Sequence, residues 1–298
     1  MGCAFELIIA HDSEAQAQLW LQQGVAEIER IEKLLTEFDE GSETSLINRQ
    51  AGNHPIVVSN EVYELLTRCA KIAALTQGAF DISIGPLKKL YHFKKGDYSL
   101  PVKSQVTETL SRVGYKHISL LAQKKVQLRK AGMRISFAAI GKGYAADKVK
   151  KLWLANGVKS GVVNASGDLT VIGVKPDGSY WQAGIAHPDQ PNRVLLYTPL
   201  HDCSIATSGD YEQYFMKDGI RYSHTINPLT GYPLTGVKSV SILCPSAELC
   251  DALATAVYVM GVEVGMHLVE QLPDVKCIII DSKNRLFLSK NIVVNEVT

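Results

Sequence analysis

The stretch "VKSVSILCPSAELCDALATAVYVMG", residues 237–261, sets the fold class. Its first eight residues interleave β-branched and apolar side chains with polar ones, which predicts a strand. Pro245 breaks that run, and an Ala- and Leu-rich segment follows. Ser246 stands where an N-cap is expected, and Gly261 where a helix ends on a left-handed residue. A strand therefore turns within two residues into an apolar helix. That helix carries Asp251 and, one turn on, Thr255, which share a face because residues four apart stack.

Working outward, the same alternation of types recurs without a regular strand–helix–strand rhythm. Residues 3–10 read as a strand, and Ser13 with Gln16 has capping-box spacing ahead of a helix. In that helix Leu21, Val25, Ile28, Ile31 and Leu35 recur at spacings of 4, 3, 3 and 4, the signature of one buried face. "FDEGSETSLINRQAGNHP" (38–55) reads as loop. A helix is predicted from about Asn60 to Leu75, capped by Ser59 and stopped before Gly78. "FKKGDYSLPVKSQ" (93–105) reads as a surface loop, with a short helix around Thr107. "HISLLAQKKVQLRKAGMRISF" alternates as strands. "GKGYAADKVKKLWLANG" is a helix stopped by Gly157. From Gly161 to Cys244 the chain is strand-rich, including "SIATSGDYEQYF" (204–215). After the 247–260 helix come another near His267 and a closing hairpin in "VKCIIIDSKNRLFLS". The expected fold is α+β, with mixed, mostly antiparallel sheets and packed helices, in a single domain over 1–298.

Bulk properties exclude several function classes. The chain has 298 residues, ample for a core, and its 31 Lys+Arg against 30 Asp+Glu give no basic footprint for nucleic acid or anionic lipid. No apolar run is expected to reach the roughly 18 residues of a membrane span. The six cysteines contain no C-x-x-C pair, which argues against a zinc site. "MGCAFELIIAHDS" lacks a basic leader and cleavage site. The expectation is a cytoplasmic protein, or an exported form with its leader removed. Neither G-x-G-x-x-G after a strand nor G-x-x-x-x-G-K-[ST] occurs, so the standard nucleotide fingerprints are absent.

Four places can carry chemistry. Asp251 with Thr255 suits magnesium, which keeps waters and borrows substrate phosphate oxygens; the alternative is a half-exposed carboxylate and a threonine bonded to its own helix. Lys142 between Gly141 and Gly143, at a helix start, suits a phosphate, or is a tight turn with a solvated lysine. His224, in "RYSHTINPLTGYP", suits a general base or a merely hydrogen-bonded ring. In "GAFDIS" (78–83), Asp81 suits a ligand amide and Phe80 a stacking partner, or the pair forms an Asx turn over a core phenylalanine.

The order of "MGCAFELII", "SETSLIN", "GAFDISIGPL", "AAIGKGYAAD", "VVNASGDL", "ATSGDYEQYF", "YSHTINPLTGYP" and "DALATAVYVMG" resembles the FAD:protein FMN transferase (ApbE) family, from Met1 to at least Gly261. The resemblance implies an ApbE, T-fold-like architecture and Mg²⁺-dependent cleavage of FAD. FMN would pass through a phosphoester to a Thr or Ser of an acceptor flavoprotein, such as a redox-pump or reductase subunit, with release of AMP. Alternatives in the same site are an FAD pyrophosphatase giving FMN and AMP, or a non-catalytic FAD-binding protein.

The resemblance also assigns residues. Ala139 (through its carbonyl), Asp251 and Thr255 would hold the metal. Met1, Phe38, Ala79, Phe80, Asp81, Ser136, Lys142 and Thr225 would contact the flavin nucleotide, and His224 would assist the acceptor hydroxyl. Four positions depart from the family pattern. Ser136 stands where an acid is frequent, Phe38 where a tyrosine is, Ser166 where a second glycine is, and Asn227 where an aspartate is.

Overall fold

The computed structural model describes residues 2–91, 100–210, 214–217 and 219–296. Met1, residues 93–99 of the expected surface loop, and residues 211–213 of the expected 204–215 strand lie outside them. The chain gathers into two compact units. One comprises residues 1–31, 140–211 and 236–298, the other residues 32–139 and 212–235.

The first unit is built on a seven-stranded sheet in the order Phe5–Ile9, Gly161–Ala165, Asp168–Ile172, Ser204–Gly209, Val237–Cys244, Lys276–Asp281 and Leu286–Leu288. Every pairing in it is antiparallel. Neighbouring residues on a strand point to opposite faces, and here both faces are apolar. Val162 and Val171 enter a core with Ile185, Leu196 and Leu200 of a small antiparallel sheet formed by Trp181–His187, Gln190–Leu200 and Asn295–Glu296. Val163 and Ile172, one residue along, enter a second core with Val149 and Trp153 of the Gly141–Ala155 helix and Trp20 of the Glu14–Leu35 helix. The sheet is therefore covered on both sides, which explains the continuous apolar run of Cys277–Ile280 in the Lys276–Asp281 strand.

The Ala247–Val269 helix packs on the strands Ser204–Gly209 and Val237–Cys244 and on the Gly141–Ala155 helix. Its start matches the sequence reading, since the Ser246 hydroxyl accepts from Leu249 N at 3.3 Å. At Gly261 the backbone leaves the helical region (φ 79°) and the helix continues beyond the kink. By length and composition this element could cross a membrane, a correction to the expectation that no run approaches a span. The apolar surface of its first half is buried inside the unit, so here it serves as a core helix. Asp147, on the Gly141–Ala155 helix, locks its N-terminus. The carboxylate accepts from Ser246 Oγ at 2.7 Å, Ala247 N at 2.9 Å and Glu248 N at 3.0 Å, satisfying donors that a helix leaves unpaired.

In the second unit, the Asn60–Leu75 helix forms where expected, with Ser59 accepting from Val62 N. The helix expected around Thr107 runs from Lys103 to Leu110, taking in the last three residues read as surface loop. Ile118–Leu121 and Lys125–Leu128 pair antiparallel, but the "RISF" end makes only an isolated bridge between Ile84 and Arg134. The segment read as loop contains a helix, Glu43–Arg49, capped by Ser42. Tertiary bonds hold it. Asn48 donates to Ile135 O at 3.0 Å and accepts from Ile135 N at 2.7 Å, a partner 87 residues away that no local pattern reveals.

Asp147→Ala leaves those donors unpaired next to the apolar helix. We expect a loss of about 1–3 kcal/mol, read as a fall in melting temperature of roughly 2–8 °C by calorimetry.

Candidate active site

In the first unit, the site begins with a close approach of two helices. A Cβ built on Gly143 would lie 2.1 Å from Ala247 O and 2.9 Å from the Asp251 Cβ. Only glycine lets the backbones come this near. The approach brings Gly143 N to 3.1 Å from Asp251 Oδ2, to which it donates. Asp251 is 5% exposed. Burial pushes its pKa up to about 7, with the Asp168 charge adding; the Lys142 ammonium and the N–H groups of Gly143 and Lys142 oppose this.

Lys142, the next residue back, forms an ion pair with Asp168 Oδ2. Burial pulls its pKa down, but the Asp168 and Asp251 carboxylates outweigh that and hold it above the ordinary lysine range. The ammonium stays charged. The other oxygen of Asp168 accepts from Thr207 N at 2.8 Å. One residue on, Ser208 Oγ meets Thr255 Oγ1 at 3.2 Å. Thr255 is half-buried and faces the sheet. Asp168 and Ser208 belong to "VVNASGDL" and "ATSGDYEQYF", stretches that carried the family resemblance but supplied no named site residue. The signal for Asp168 was the turn before it, which fixes where the strand starts.

That turn explains one departure. Ser166 sits at φ 51°, in the left-handed region where glycine is favoured. Its hydroxyl compensates by accepting from Ala4 N and donating to Ala4 O, each at 3.1 Å.

The second unit holds the remaining predicted residues other than Met1. Phe80 is 1% exposed and Ala79 3%, so both are core, with Phe80 N donating to Thr76 Oγ1. Asp81 is buried and already occupied. It accepts from Ser83 N at 2.8 Å, Ser83 Oγ at 2.6 Å and Tyr115 N at 2.7 Å, and burial raises its pKa. This is the Asx-turn arrangement, and its effect is to fix the 78–83 backbone. Phe38 differs from these buried residues, at 92% exposed. Ser136 is buried, donates through its backbone to Ile82 O at 2.8 Å and accepts at Oγ from Ala138 N at 3.4 Å. Ala139 is half-buried and precedes Ile140, where the first unit resumes.

His224 follows the Ile220–Ser223 strand. Thr225 is pinned by N–H donation to Ser223 Oγ at 3.0 Å and by its carbonyl accepting from Leu234 N at 2.9 Å. Asn227 Oδ1 accepts from Leu229 N at 2.8 Å, so it keeps the oxygen an aspartate would supply to this turn. Met1 lies outside the described residues.

The donor set tests the fit of a metal. Among the described residues no group of three or more His, Cys, Asp or Glu side chains could hold one. Asp251 and Thr255 offer one carboxylate and one hydroxyl, an all-oxygen set that fits a hard cation completing its shell from water and ligand phosphates.

Comparison with known proteins agrees with the resemblance. Residues 1–279 match the ApbE family. A Treponema pallidum (strain Nichols) protein named FAD:protein FMN transferase is 33% identical over 295 residues, covering 94% of this chain and 82% of that one. The crystal structure of the ApbE protein from Thermotoga maritima superposes with a TM-score of 0.89 at 31% identity, covering 97% of this chain and 94% of that one. The flavin transferase ApbE from Vibrio cholerae superposes at 0.86 with 26% identity, over 97% and 94%.

Because the folded pKa of Asp251 (about 7) lies above its ordinary 3.8, the unfolded chain loses this proton first. Metal-free stability therefore falls as pH rises through that window. Asp251→Asn removes the buried charge. We expect its metal-free melting temperature to exceed that of the parent at pH 8 by roughly 2–6 °C and the gap to close toward pH 4, by scanning calorimetry.

Proposed function

From the premise that this chain belongs to the ApbE family, we propose that it is a Mg²⁺-dependent FAD:protein FMN transferase. The acceptor is a flavoprotein bearing a target Thr or Ser. Its hydroxyl oxygen attacks the FMN phosphorus, the pyrophosphate P–O bond breaks, and AMP leaves with the electron pair. The whole of residues 1–298 acts as one functional domain, a reading supported by a family match that runs through both units.

One observation carries this reading. Asp251 and Thr255 sit one helical turn apart, and the Lys142 ammonium lies close enough to Asp251 to lower its pKa. Mg²⁺ held by Asp251, Thr255 and the Ala139 carbonyl would supply positive charge to the pyrophosphate oxygens. Lys142 adds a second positive group, kept protonated and oriented by Asp168. Such fixed charges need no reorganisation as negative charge builds on the leaving phosphate. His224 takes the proton of the acceptor hydroxyl, a nucleophile too weak to react unaided at neutral pH.

Phe38, exposed and aromatic, offers a stacking face to the flavin nucleotide, with Met1, Ser136 and Thr225 as further contacts. Ala79, Phe80 and Asp81 contribute through the backbone they hold rigid. The Treponema pallidum relative carries the transferase name, and its similarity over most of both chains supports the same activity here.

Incubation with FAD, Mg²⁺ and a flavoprotein acceptor, read by mass spectrometry, tests this. We expect AMP and an FMN-bearing threonine, both lost on chelation. Free FMN with AMP and no labelled acceptor would instead establish a pyrophosphatase, and bound FAD without AMP a binding protein. Asp251→Asn is expected to lower AMP release at least ~100-fold, and His224→Ala to lower acceptor labelling by ~10²–10⁴-fold with FAD still bound.

A further inference from the structure

Cys244 ends the Val237–Cys244 strand, and Cys250 lies in the first turns of the helix that follows, immediately before Asp251. Their sulfurs are 3.1 Å apart, inside the separation of two unbonded sulfurs and about 1 Å beyond the ~2.05 Å of a disulfide. Each thiol also has a backbone partner. Cys244 Sγ donates to Ser246 O at 3.1 Å, and Cys250 Sγ to Ser204 O at 3.3 Å. These bonds hold the sulfurs facing each other at the junction between strand and helix. Neither thiol is used in the proposed flavin chemistry.

We propose that Cys244 and Cys250 are a covalent modification site, closing to a disulfide that staples the sheet to the helix carrying Asp251. With hydrogen peroxide as oxidant, the Cys244 sulfur attacks one peroxide oxygen, giving a sulfenic acid and water. The Cys250 sulfur then displaces the sulfenic oxygen as a second water. Two S–H bonds and one O–O bond are lost, and one S–S bond and two water molecules form. Because the sulfurs already touch, closure needs only a movement of about 1 Å between them. Peroxide is small enough for a site in which the two cysteines are 3% and 0% exposed.

The test uses the whole protein. Accessible thiols, Cys3 and Cys203 among them, are first alkylated in the native state. The protein is then treated with peroxide, denatured, exposed to N-ethylmaleimide and digested. Both cysteines fall in one tryptic peptide, residues 239–276, and Glu248 between them allows a second cleavage. The expected result is a peptide lighter by two hydrogens, free of maleimide, whose two fragments stay joined after cleavage at Glu248. The oxidised protein is also expected to melt several degrees higher, reversibly with dithiothreitol, while Cys250→Ala shows no such shift. Maleimide on both cysteines, or Cys244 driven to sulfinic acid, would overturn the site. A joined peptide with an unchanged melting temperature would overturn the staple.

Discussion

The contact between Gly143 and the first turn of the Ala247–Val269 helix governs the rest of the site. No other residue type tolerates a carbonyl oxygen 2.1 Å from where its Cβ would stand. That approach places a backbone N–H on the Asp251 carboxylate, and it fixes the helix start beside Lys142. Asp147 secures the same junction one turn along, by capping the neighbouring helix. The two helices act as one block, and the sheet beneath supplies Ser208 to Thr255 and Asp168, itself held by Thr207 N, to Lys142.

The electrostatics follow from this packing. Two carboxylates and one ammonium share a small, mostly dehydrated space. The lysine is therefore held charged, while Asp251 holds its own charge only with difficulty. A buried carboxylate in that condition requires a proton or a cation. Its hydrogen-bond donors are the backbone N–H groups of Gly143 and Lys142, and under the proposed function a divalent ion with phosphate oxygens would complete the set. The proposed function treats the site as half of a coordination shell whose other half arrives with the substrate.

Much of this was legible in the sequence because it rests on local rules. Ser59 and Ser246 announced helix starts, Gly157 and Gly261 announced left-handed breaks, and the i, i+4 relation put Asp251 and Thr255 on one face. What was hidden depended on distant partners. The Glu43–Arg49 helix is held by Asn48 bonding to Ile135, and its polar sequence reads locally as loop. The Lys142 to Asp168 pair joins residues 26 apart on different elements. Asp81 and Phe80 were visible as a motif, but only the structure shows the carboxylate consumed by Ser83 and Tyr115. The departures also became intelligible here, since Ser166 and Asn227 each replace what the usual residue supplies with a side-chain hydrogen bond.

The central claim is that Asp251 and Thr255 face one divalent cation. The most direct measurement is a crystal of the protein soaked with Mn²⁺ and an uncleavable FAD analogue, imaged by anomalous scattering. The account predicts one strong peak within about 2–2.5 Å of an Asp251 carboxylate oxygen and the Thr255 hydroxyl, bridging to pyrophosphate oxygens. A peak elsewhere, or none with the analogue fully bound, would contradict it.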